Sequence, residues 1–275
     1  MFSDIRVLYE DSFFIVVDKP PGISIHEAPG PGENLLGKLR RLSGIADLTP
    51  IHRLDKDASG VLLLARTREA AAAAHRVWDK AEKSYIVVCD GAPPDRRGSI
   101  RAPILEHHTS RPERMESALK YFRKAHPGMD IPPPPRPKTS AVHPAGRPSE
   151  TEYETIETFP PLPEDTGSLP RAEARWSLVE AKPKQGRMHQ VRVHLAFMGC
   201  PLAVDPLYGR RGVLLEKDVL PGGGEGEIFD RIPLHARRLV LPHPIKAGQR
   251  IETESPLPSD MERLILTIRA AARLP

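Results

Sequence analysis

Proline is concentrated in the middle of this sequence, and this limits the folds that the chain can adopt. Twelve of its 31 prolines lie between residues 127 and 170, including four in a row at residues 132–135. Proline has no backbone N–H group to donate to a sheet or a helix. Residues 124–149 are therefore predicted to form an extended Pro-rich surface insertion in an otherwise folded chain.

On both sides of this insertion the hydrophobic pattern indicates short strands and a few helices. Strand-like runs are found at residues 5–9, 13–17, 60–65, 83–89, 150–158, 172–181 and 233–241. Helical spacing is found at residues 33–42, 68–80 and 188–198. Strands that follow one another with few helices between them predict an α+β fold, with a mostly antiparallel mixed sheet and flanking helices and loops.

Composition and charge narrow the class of protein. Hydrophobic residues make up 39% of the chain and charged residues 28%, which supports a packed core. The net charge of +4 and the pI of about 9.1 permit a nucleic-acid partner without requiring one. Cys89 and Cys200 are predicted to be partly buried free thiols. The sequence shows no secretory signal and no apolar run near the ~20 residues that cross a bilayer, so we expect a soluble, cytoplasmic protein.

The first polar cluster is at residues 52–60, which read His-Arg-Leu-Asp-Lys-Asp-Ala-Ser-Gly. It places the carboxylates Asp55 and Asp57 in a loop beside the apolar run of residues 60–65. Binding and catalytic groups often lie in such loops on a rigid scaffold. From composition alone, a solvated loop with internal ion pairs is the favoured interpretation.

The second cluster is at residues 186–194, which read Gly-Arg-Met-His-Gln-Val-Arg-Val-His around the start of a predicted helix. Helix N-termini and arginine side chains both attract anions. A zinc site is not expected, because His189 and His194 are five residues apart and point to different faces of a helix.

The two clusters resemble motifs of the RluA-type pseudouridine synthases. Four further blocks are similar to that family and occur in its order: residues 16–22, 83–85, 201–209 and 234–236 with 243–244. Matched stretches run from Ile5 to about Pro258. Small departures are Ala58, Met188 and Val204, and none of them removes a charged group. The resemblance implies the pseudouridine synthase catalytic fold as one domain over residues 1–275, without a separate N-terminal RNA-binding domain.

The resemblance also implies roles for individual residues. Asp55 is the expected catalytic aspartate, and Arg192 is the expected cation that keeps it charged and oriented. Tyr85 is expected to stack on the target base and is a candidate for a late proton transfer. Whether Asp55 attacks the base, attacks the sugar or promotes an elimination is left open.

Other residues are expected to bind the substrate. They are His52, Arg53, Lys83, Arg187, His189 and Gln190. Arg53 is the candidate for filling the space that a flipped uridine leaves. Lys19 and Lys83 fit either a phosphate contact or a charge at a strand edge.

The expected partner is RNA, either ribosomal or transfer RNA, and not DNA or a membrane. No cofactor and no metal is expected, because the reaction is an isomerisation, and we expect a monomer. Three alternatives stay open: an RNA-binding protein that has lost catalysis, a hydrolase that uses Asp55 and Asp57 as paired carboxylates, and an unrelated small-molecule enzyme. The first would predict substitution at Asp55, Tyr85 or Arg192, and all three are present.

Overall fold

A computed structural model describes residues 5–26, 34–107, 134–159 and 174–272, together with the isolated residues 116, 120, 123, 124 and 130. The chain divides into two compact units. The first contains the residues up to Val87 and Arg231–Thr267, and the second contains Val88–Asp230 and the residues from Ile268 onward.

The strands and helices have the following bounds. The strands are β1 (Val7–Glu10), β2 (Phe14–Lys19), β3 (Thr49–Pro50), β4 (Ser59–Ala65), β5 (Glu82–Asp90), β6 (Arg97–Arg101), β7 (Ile104–Glu106), β8 (Ser140–Val142), β9 (Glu150–Phe159), β10 (Trp176–Pro183), β11 (Leu214–Leu215), β12 (Glu227–Phe229), β13 (Leu234–Pro242) and β14 (Arg250–Glu254). The helices are α1 (Leu35–Ser43), α2 (Arg68–Val77), a 3-10 turn (Trp78–Lys80), α3 (Gln190–Phe197), α4 (Glu216–Val219) and α5 (Ser259–Ala271).

The first unit is built on a mixed sheet with β4 near its centre. Its strands are ordered β1-β2-β4-β13-β5, with β3 paired to β4 and β14 paired to β13. All of these pairs are antiparallel except that of β4 with β13, which is parallel. Every residue of β4 is buried, as expected for a short apolar strand between two neighbours. The alanine-rich helix α2 packs on this sheet through Ala70 and Ala74.

The second unit contains three small sheets and the helix α3. Strands β10, β9 and β6 form an antiparallel sheet, and β7 pairs with β8 and β11 with β12. The exposed face of β9 carries alternating glutamates, which face cations on β6 and beside β10. In contrast, six of the eight residues of α3 are buried, so this helix belongs to the interior of the unit.

The α+β fold with a mostly antiparallel mixed sheet is confirmed, and several details differ from the sequence-based expectations, among them the strands β6, β7 and β14, which had not been predicted. Ser140–Val142 forms a strand within the predicted Pro-rich insertion, because it lies in a stretch between prolines and keeps its backbone donors. Within the rest of that prediction, residues 125–129 and 131–133 lie outside the described residues. Helix α3 begins at Gln190 instead of residue 188, since His189 adopts a left-handed conformation with a φ of 59°. Helix α5 had not been predicted. The expectation of a single domain stays a prediction.

Two negative findings concern the described part of the chain. None of its helices is long and apolar enough to span a membrane. It also contains no cluster of three or more histidine, cysteine, aspartate or glutamate side chains that could hold a metal ion. Cys89 and Cys200 are free thiols, as predicted, and both are fully buried instead of partly buried.

Candidate functional site

The loop that carries Asp55 connects β3 to β4 in the first unit. Its start is fixed to β4, since the N–H group of Ile51 donates to the carbonyl of Leu63 at 2.9 Å. Its end forms a turn in which the N–H group of Ala58 donates to the carbonyl of Asp55 at 3.2 Å. The Asp55 side chain is half-buried, while Arg53 and Asp57 are exposed on either side of it. The loop therefore presents one partly shielded carboxylate between two exposed charged side chains.

Lys19 fixes the backbone of this loop through hydrogen bonds. Its side chain is fully buried, and its ammonium group donates hydrogen bonds to the carbonyls of Pro20 at 2.9 Å, Lys56 at 2.8 Å and Ala58 at 2.7 Å. Burial lowers the pKa of Lys19 to about 8, against the opposing attraction of the nearby carboxylates. All three donors of the ammonium group are used within the unit, so Lys19 positions the loop backbone instead of contacting a phosphate.

A second cation and a buried histidine fix the end of the loop. The Arg231 side chain donates to the carbonyl of Asp57 at 3.1 Å and is itself oriented by an ion pair with Asp260 at 2.6 Å. His235 on β13 lies between the Ser59 hydroxyl, 3.0 Å from its Nδ1 atom, and the carbonyl of Ser255, 3.2 Å from its Nε2 atom. Because a carbonyl only accepts, Nε2 carries the proton and Nδ1 accepts from Ser59.

The strands β4 and β13 also approach each other closely at Gly60. This residue has a φ of 110°, and a Cβ atom added there would lie 2.2 Å from the carbonyl oxygen of Ala236. Only glycine fits this position, which explains the Ser-Gly pair that follows the Asp55 loop in the sequence.

His52 fixes the beginning of the loop. Its side chain is neutral. Its Nε2 atom accepts a hydrogen bond from the N–H group of Leu63 at 3.1 Å, and its ring stacks on Trp78 with centroids 5.0 Å apart. Burial and the charge of Lys83 lower the pKa of His52 to about 3. The Lys83 ammonium group lies 5.7 Å from the centroid of the Trp78 ring, and burial lowers its pKa to about 8. The predicted contacts of His52 and Lys83 with RNA stay predictions.

Tyr85 on β5 lies within the electrostatic influence of Asp55. The pKa of the Tyr85 phenol is raised far above its usual value, first by burial and second by the negative charge of Asp55. The phenol is therefore protonated at any physiological pH and keeps an O–H group to donate. The first unit thus brings together the predicted catalytic aspartate and the predicted stacking tyrosine.

In the second unit, the motif at residues 186–194 is fixed mainly by its own polar side chains. Gln190 is buried, accepts from the N–H group of Arg187 at 3.1 Å and donates to the carbonyl of Glu150 at 2.9 Å. His189 lies with its Nδ1 atom 2.8 Å from the Tyr208 hydroxyl. Gln190 and His189 therefore hold the turn that precedes α3, and their predicted contacts with RNA stay predictions.

Arg192 forms a buried ion pair with Asp205. Its Nε and Nη2 atoms donate to the two carboxylate oxygens of Asp205 at 2.8 Å each. Asp205 also accepts from the N–H groups of Leu207 at 2.9 Å and Tyr208 at 3.2 Å. The Arg192 guanidinium group lies 5.1 Å from the centroid of the Tyr208 ring, at a distance suited to a cation–π contact. The predicted pairing of Arg192 with Asp55 stays a prediction.

Arg187, in the motif at residues 186–194, lies near the charge of a second arginine, Arg147. It is half-buried, and its pKa is lowered by burial and by the charge of Arg147. The buried Glu106 carboxylate accepts from the N–H group of Met188 at 2.6 Å and pairs with Arg147 at 2.5 Å. The Glu106 carboxylate thus lies near two guanidinium groups, those of Arg147 and Arg187.

Several of these residues were not assigned a role from the sequence. Arg231, Trp78 and Glu106 gave no local signal, because their partners lie far away along the chain. Asp205 and His235 lie in blocks that resemble the family, and that position was the only signal for them.

The comparisons with known proteins identify the family of the chain. The model of the RNA pseudouridylate synthase family matches residues 13–197. This is more than half of the chain, and the chain belongs to the RNA pseudouridylate synthase family. Members of this class are isomerases that act on RNA, and the resemblance found in the sequence is confirmed.

Curated relatives extend the similarity over nearly the whole chain. The ribosomal large subunit pseudouridine synthase D of Nitrosomonas europaea is 32% identical over 276 residues, which cover 96% of this chain and 65% of that protein. The ribosomal large subunit pseudouridine synthase C of Yersinia pestis is 30% identical over 269 residues, covering 97% of this chain and 70% of that protein. The chain thus spans about two thirds of the length of these relatives, and slightly less for the first.

A solved structure shares the fold. The human RNA pseudouridylate synthase domain containing 4 is 22% identical, covers 96% of this chain and 92% of its own, and superposes with a TM-score of 0.66. At this identity the likeness bears on the fold alone.

Proposed function

We propose that this protein is an RNA pseudouridine synthase that isomerises specific uridines in structured RNA, with the Asp55 carboxylate as its catalytic group. The observation that carries the proposal is the strand pairing that joins Tyr85 to Ala236 and Ala236 to Gly60, at the end of the Asp55 loop, so that the Asp55 charge raises the pKa of the phenol. Membership of the RNA pseudouridylate synthase family supports it. The proposal adds to that membership roles for Asp55, Arg53 and Tyr85.

The reaction requires the glycosidic bond to break at nitrogen and to form again at a carbon of the uracil. The uridine must first leave its stack, at a cost of a few kcal/mol. Asp55 is the positioned carboxylate that promotes the cleavage. The exposed Arg53 side chain is suited to occupy the vacated space and to contact the RNA backbone.

Tyr85 is proposed to hold the detached base and to take part in a proton transfer. Stacking on an aromatic ring is worth about 1–3 kcal/mol per base, enough to keep a uracil in place while it turns. The phenol stays protonated because its pKa is raised. It is therefore suited to donate a proton, and not to act as a base in its resting state.

The geometry of the loop depends on Lys19, Arg231 and His52, which form hydrogen bonds with backbone groups. Their hydrogen bonds fix the carbonyls of Lys56, Asp57 and Ala58 and the amide of Leu63. Such fixed positioning matters because misplacement of a catalytic group by ~1 Å can reduce a rate by ~100-fold.

Ribosomal RNA is the substrate that we favour over transfer RNA, because relatives are named as ribosomal large subunit pseudouridine synthases. We further propose that the protein acts in the cytoplasm as a monomer on RNA and not on DNA.

The test is pseudouridine mapping of total RNA from cells with and without this gene. Complementation with wild type is compared with complementation by Asp55→Asn. A site that disappears with the gene and returns only with wild type supports the proposal and names the uridine. If no site in any RNA changes, the proposal fails, and an RNA-binding protein without catalysis takes its place.

A further inference from the structure

Residues 134–149 form a segment with cations and no carboxylates, which we name the basic segment. It contains Arg136, Lys138 and Arg147, together with His143, and it has no aspartate or glutamate. The whole chain carries 40 basic and 36 acidic residues. A run of this length without any acidic residue therefore has more positive charge than the chain as a whole. Local clusters of charge, more than net charge, mark surfaces that bind nucleic acid.

The basic segment is anchored to the second unit by backbone hydrogen bonds. Strand β8 pairs with β7, and Arg147 and Ile104 exchange backbone hydrogen bonds at 2.8 and 2.9 Å. The N–H group of Ser140 donates to the Tyr208 hydroxyl at 2.8 Å, which is also the partner of His189. The segment is therefore held in place next to the motif at residues 186–194, and its cations need little ordering when a ligand binds.

A tight turn displays two of these cations. The N–H group and the hydroxyl of Thr139 both donate to the carbonyl of Arg136, at 3.1 and 2.7 Å. Lys138 within this turn has a left-handed φ of 61°. Arg136 and Lys138 are exposed, and within the described ranges neither forms an ion pair.

The third cation, Arg147, is crowded against a like charge. Its guanidinium group lowers the pKa of Arg187, and the single buried carboxylate of Glu106 lies beside both side chains. The Arg187 side chain also donates to the carbonyl of Pro148 at 3.3 Å. A phosphate group placed at these two arginines would relieve their repulsion and match the fork of donors that guanidinium groups present.

The cations of the neighbouring sheet provide a contrast. On the outer face of β9, Glu154 pairs with Arg97 at 2.6 Å and Glu152 pairs with Lys184 at 2.6 Å. Each of these cations already faces a carboxylate, so this surface is electrically balanced and is a poor site for a polyanion. The unit thus has a sheet face whose charges are balanced and a basic segment in which Arg147 pairs with Glu106 but Arg136 and Lys138 form no ion pair with the described residues.

We propose that the basic segment binds the phosphate backbone of the substrate RNA, with Arg136 and Lys138 contacting one stretch of backbone and Arg147 with Arg187 contacting a phosphate group. The inference rests on the proposed function, since it names how the same substrate is held. The segment contributes affinity and orientation. It does not recognise the RNA sequence, because its cations contact phosphates and none of its groups is placed to contact bases.

The test compares two double variants of the full-length chain. In Arg136→Gln/Lys138→Asn the two exposed cations are removed, and asparagine is chosen because it tolerates a positive φ. The matched control, Arg97→Gln/Lys184→Gln, removes the same charge from the balanced sheet face. Binding of a labelled single-stranded oligouridylate is measured between about 50 and 200 mM salt, together with pseudouridine formation in total RNA from cells that lack the gene.

The basic-segment variant is expected to bind roughly three- to tenfold more weakly, with a salt slope reduced by about 0.7 for each phosphate that is no longer neutralised. Its KM for RNA should rise by a similar factor while kcat is kept. The control should bind with nearly the wild-type slope. Equal behaviour of the two variants, in a wild type that forms pseudouridine, would overturn the inference and leave the proposed function intact. A wild type that forms no pseudouridine, with salt-dependent binding weakened in the first variant alone, would overturn the proposed function and support the inference.

Discussion

Arg192 and Asp205 form a buried ion pair in which two guanidinium N–H groups meet the two carboxylate oxygens at 2.8 Å each. Their side chains are 5% and 0% exposed. The family resemblance predicts Arg192 as the cation for Asp55, but it gives no reason for the orientation of the arginine. Asp205 supplies that reason, because a two-point contact fixes the plane of the guanidinium group.

We expect Asp205→Asn to destabilise the protein by about 3–5 kcal/mol, since it leaves the Arg192 charge buried without its partner. Arg192→Met should have a similar effect for the converse reason. Urea denaturation measures both. The control is Glu154→Gln, which breaks an exposed ion pair with Arg97 and should cost about 1 kcal/mol or less. Equal losses in Asp205→Asn and the control would show that the buried pair has no special role.

Lys19→Met should lower both stability and kcat, because three backbone carbonyls around the Asp55 loop lose their donor. Each carbonyl that stays buried without a partner costs about 1–3 kcal/mol, partly offset by the removal of a buried charge. RNA affinity should change much less than kcat, since Lys19 is buried away from any ligand. Steady-state kinetics and binding measurements separate the two quantities. The exposed Lys80→Met is the control, and a matching loss of activity there would refute the positioning role.

The neutral state of His52 predicts a loss of stability in acid. In the unfolded chain this histidine takes up its proton near its usual pKa of 6.5, whereas the folded chain keeps it neutral down to about 3. The unfolded state therefore binds more protons in this window, and stability falls as the pH decreases from 6.5 to 3. Relative to His52→Gln, wild type should lose on the order of 3 kcal/mol across the window. A pH-independent difference between the two in urea denaturation would contradict this account.

Tyr85→Phe should keep the stacking surface and lose the proton donor. We expect kcat to fall while the affinity for RNA is unchanged, because the phenol is protonated in wild type. Tyr85→Leu should in addition remove the stacking interaction, worth about 1–3 kcal/mol. Pre-steady-state measurement of base detachment and of product formation distinguishes the two roles. Wild-type rates in Tyr85→Phe would restrict Tyr85 to stacking.

Local pattern was enough to predict part of the fold. The buried strand β4 and the helix α2 follow from a short apolar run and an alanine-rich stretch, both of which act over a few residues. Strand β8 was missed because the prolines around it suppress a local strand signal, while its pairing with β7 is a contact between distant parts of the chain. Pairing partners of this kind cannot be read from periodicity.

The sequence predicted which residues form the site, but it predicted few of the contacts that hold them. Asp55 and Tyr85 were identified from the resemblance, and the structure places them in one unit. The supports of the loop were not identified, because Lys19 and Arg231 act through backbone carbonyls that carry no sequence signature. Gln190 illustrates the opposite case, since a polar side chain in a motif proved to bind the backbone groups of Arg187 and Glu150.

The central claim is that Asp55 carries the reaction, and it is tested most directly by comparing Asp55→Asn with Asp57→Asn in purified protein. The two substitutions remove the same charge from the same loop, two residues apart, but Asp57 is exposed and Asp55 is half-buried. Pseudouridine formation and RNA binding are measured on RNA from cells that lack the gene. The account predicts no turnover with Asp55→Asn, nearly full turnover with Asp57→Asn and binding close to wild type in both. Turnover retained in Asp55→Asn would contradict it.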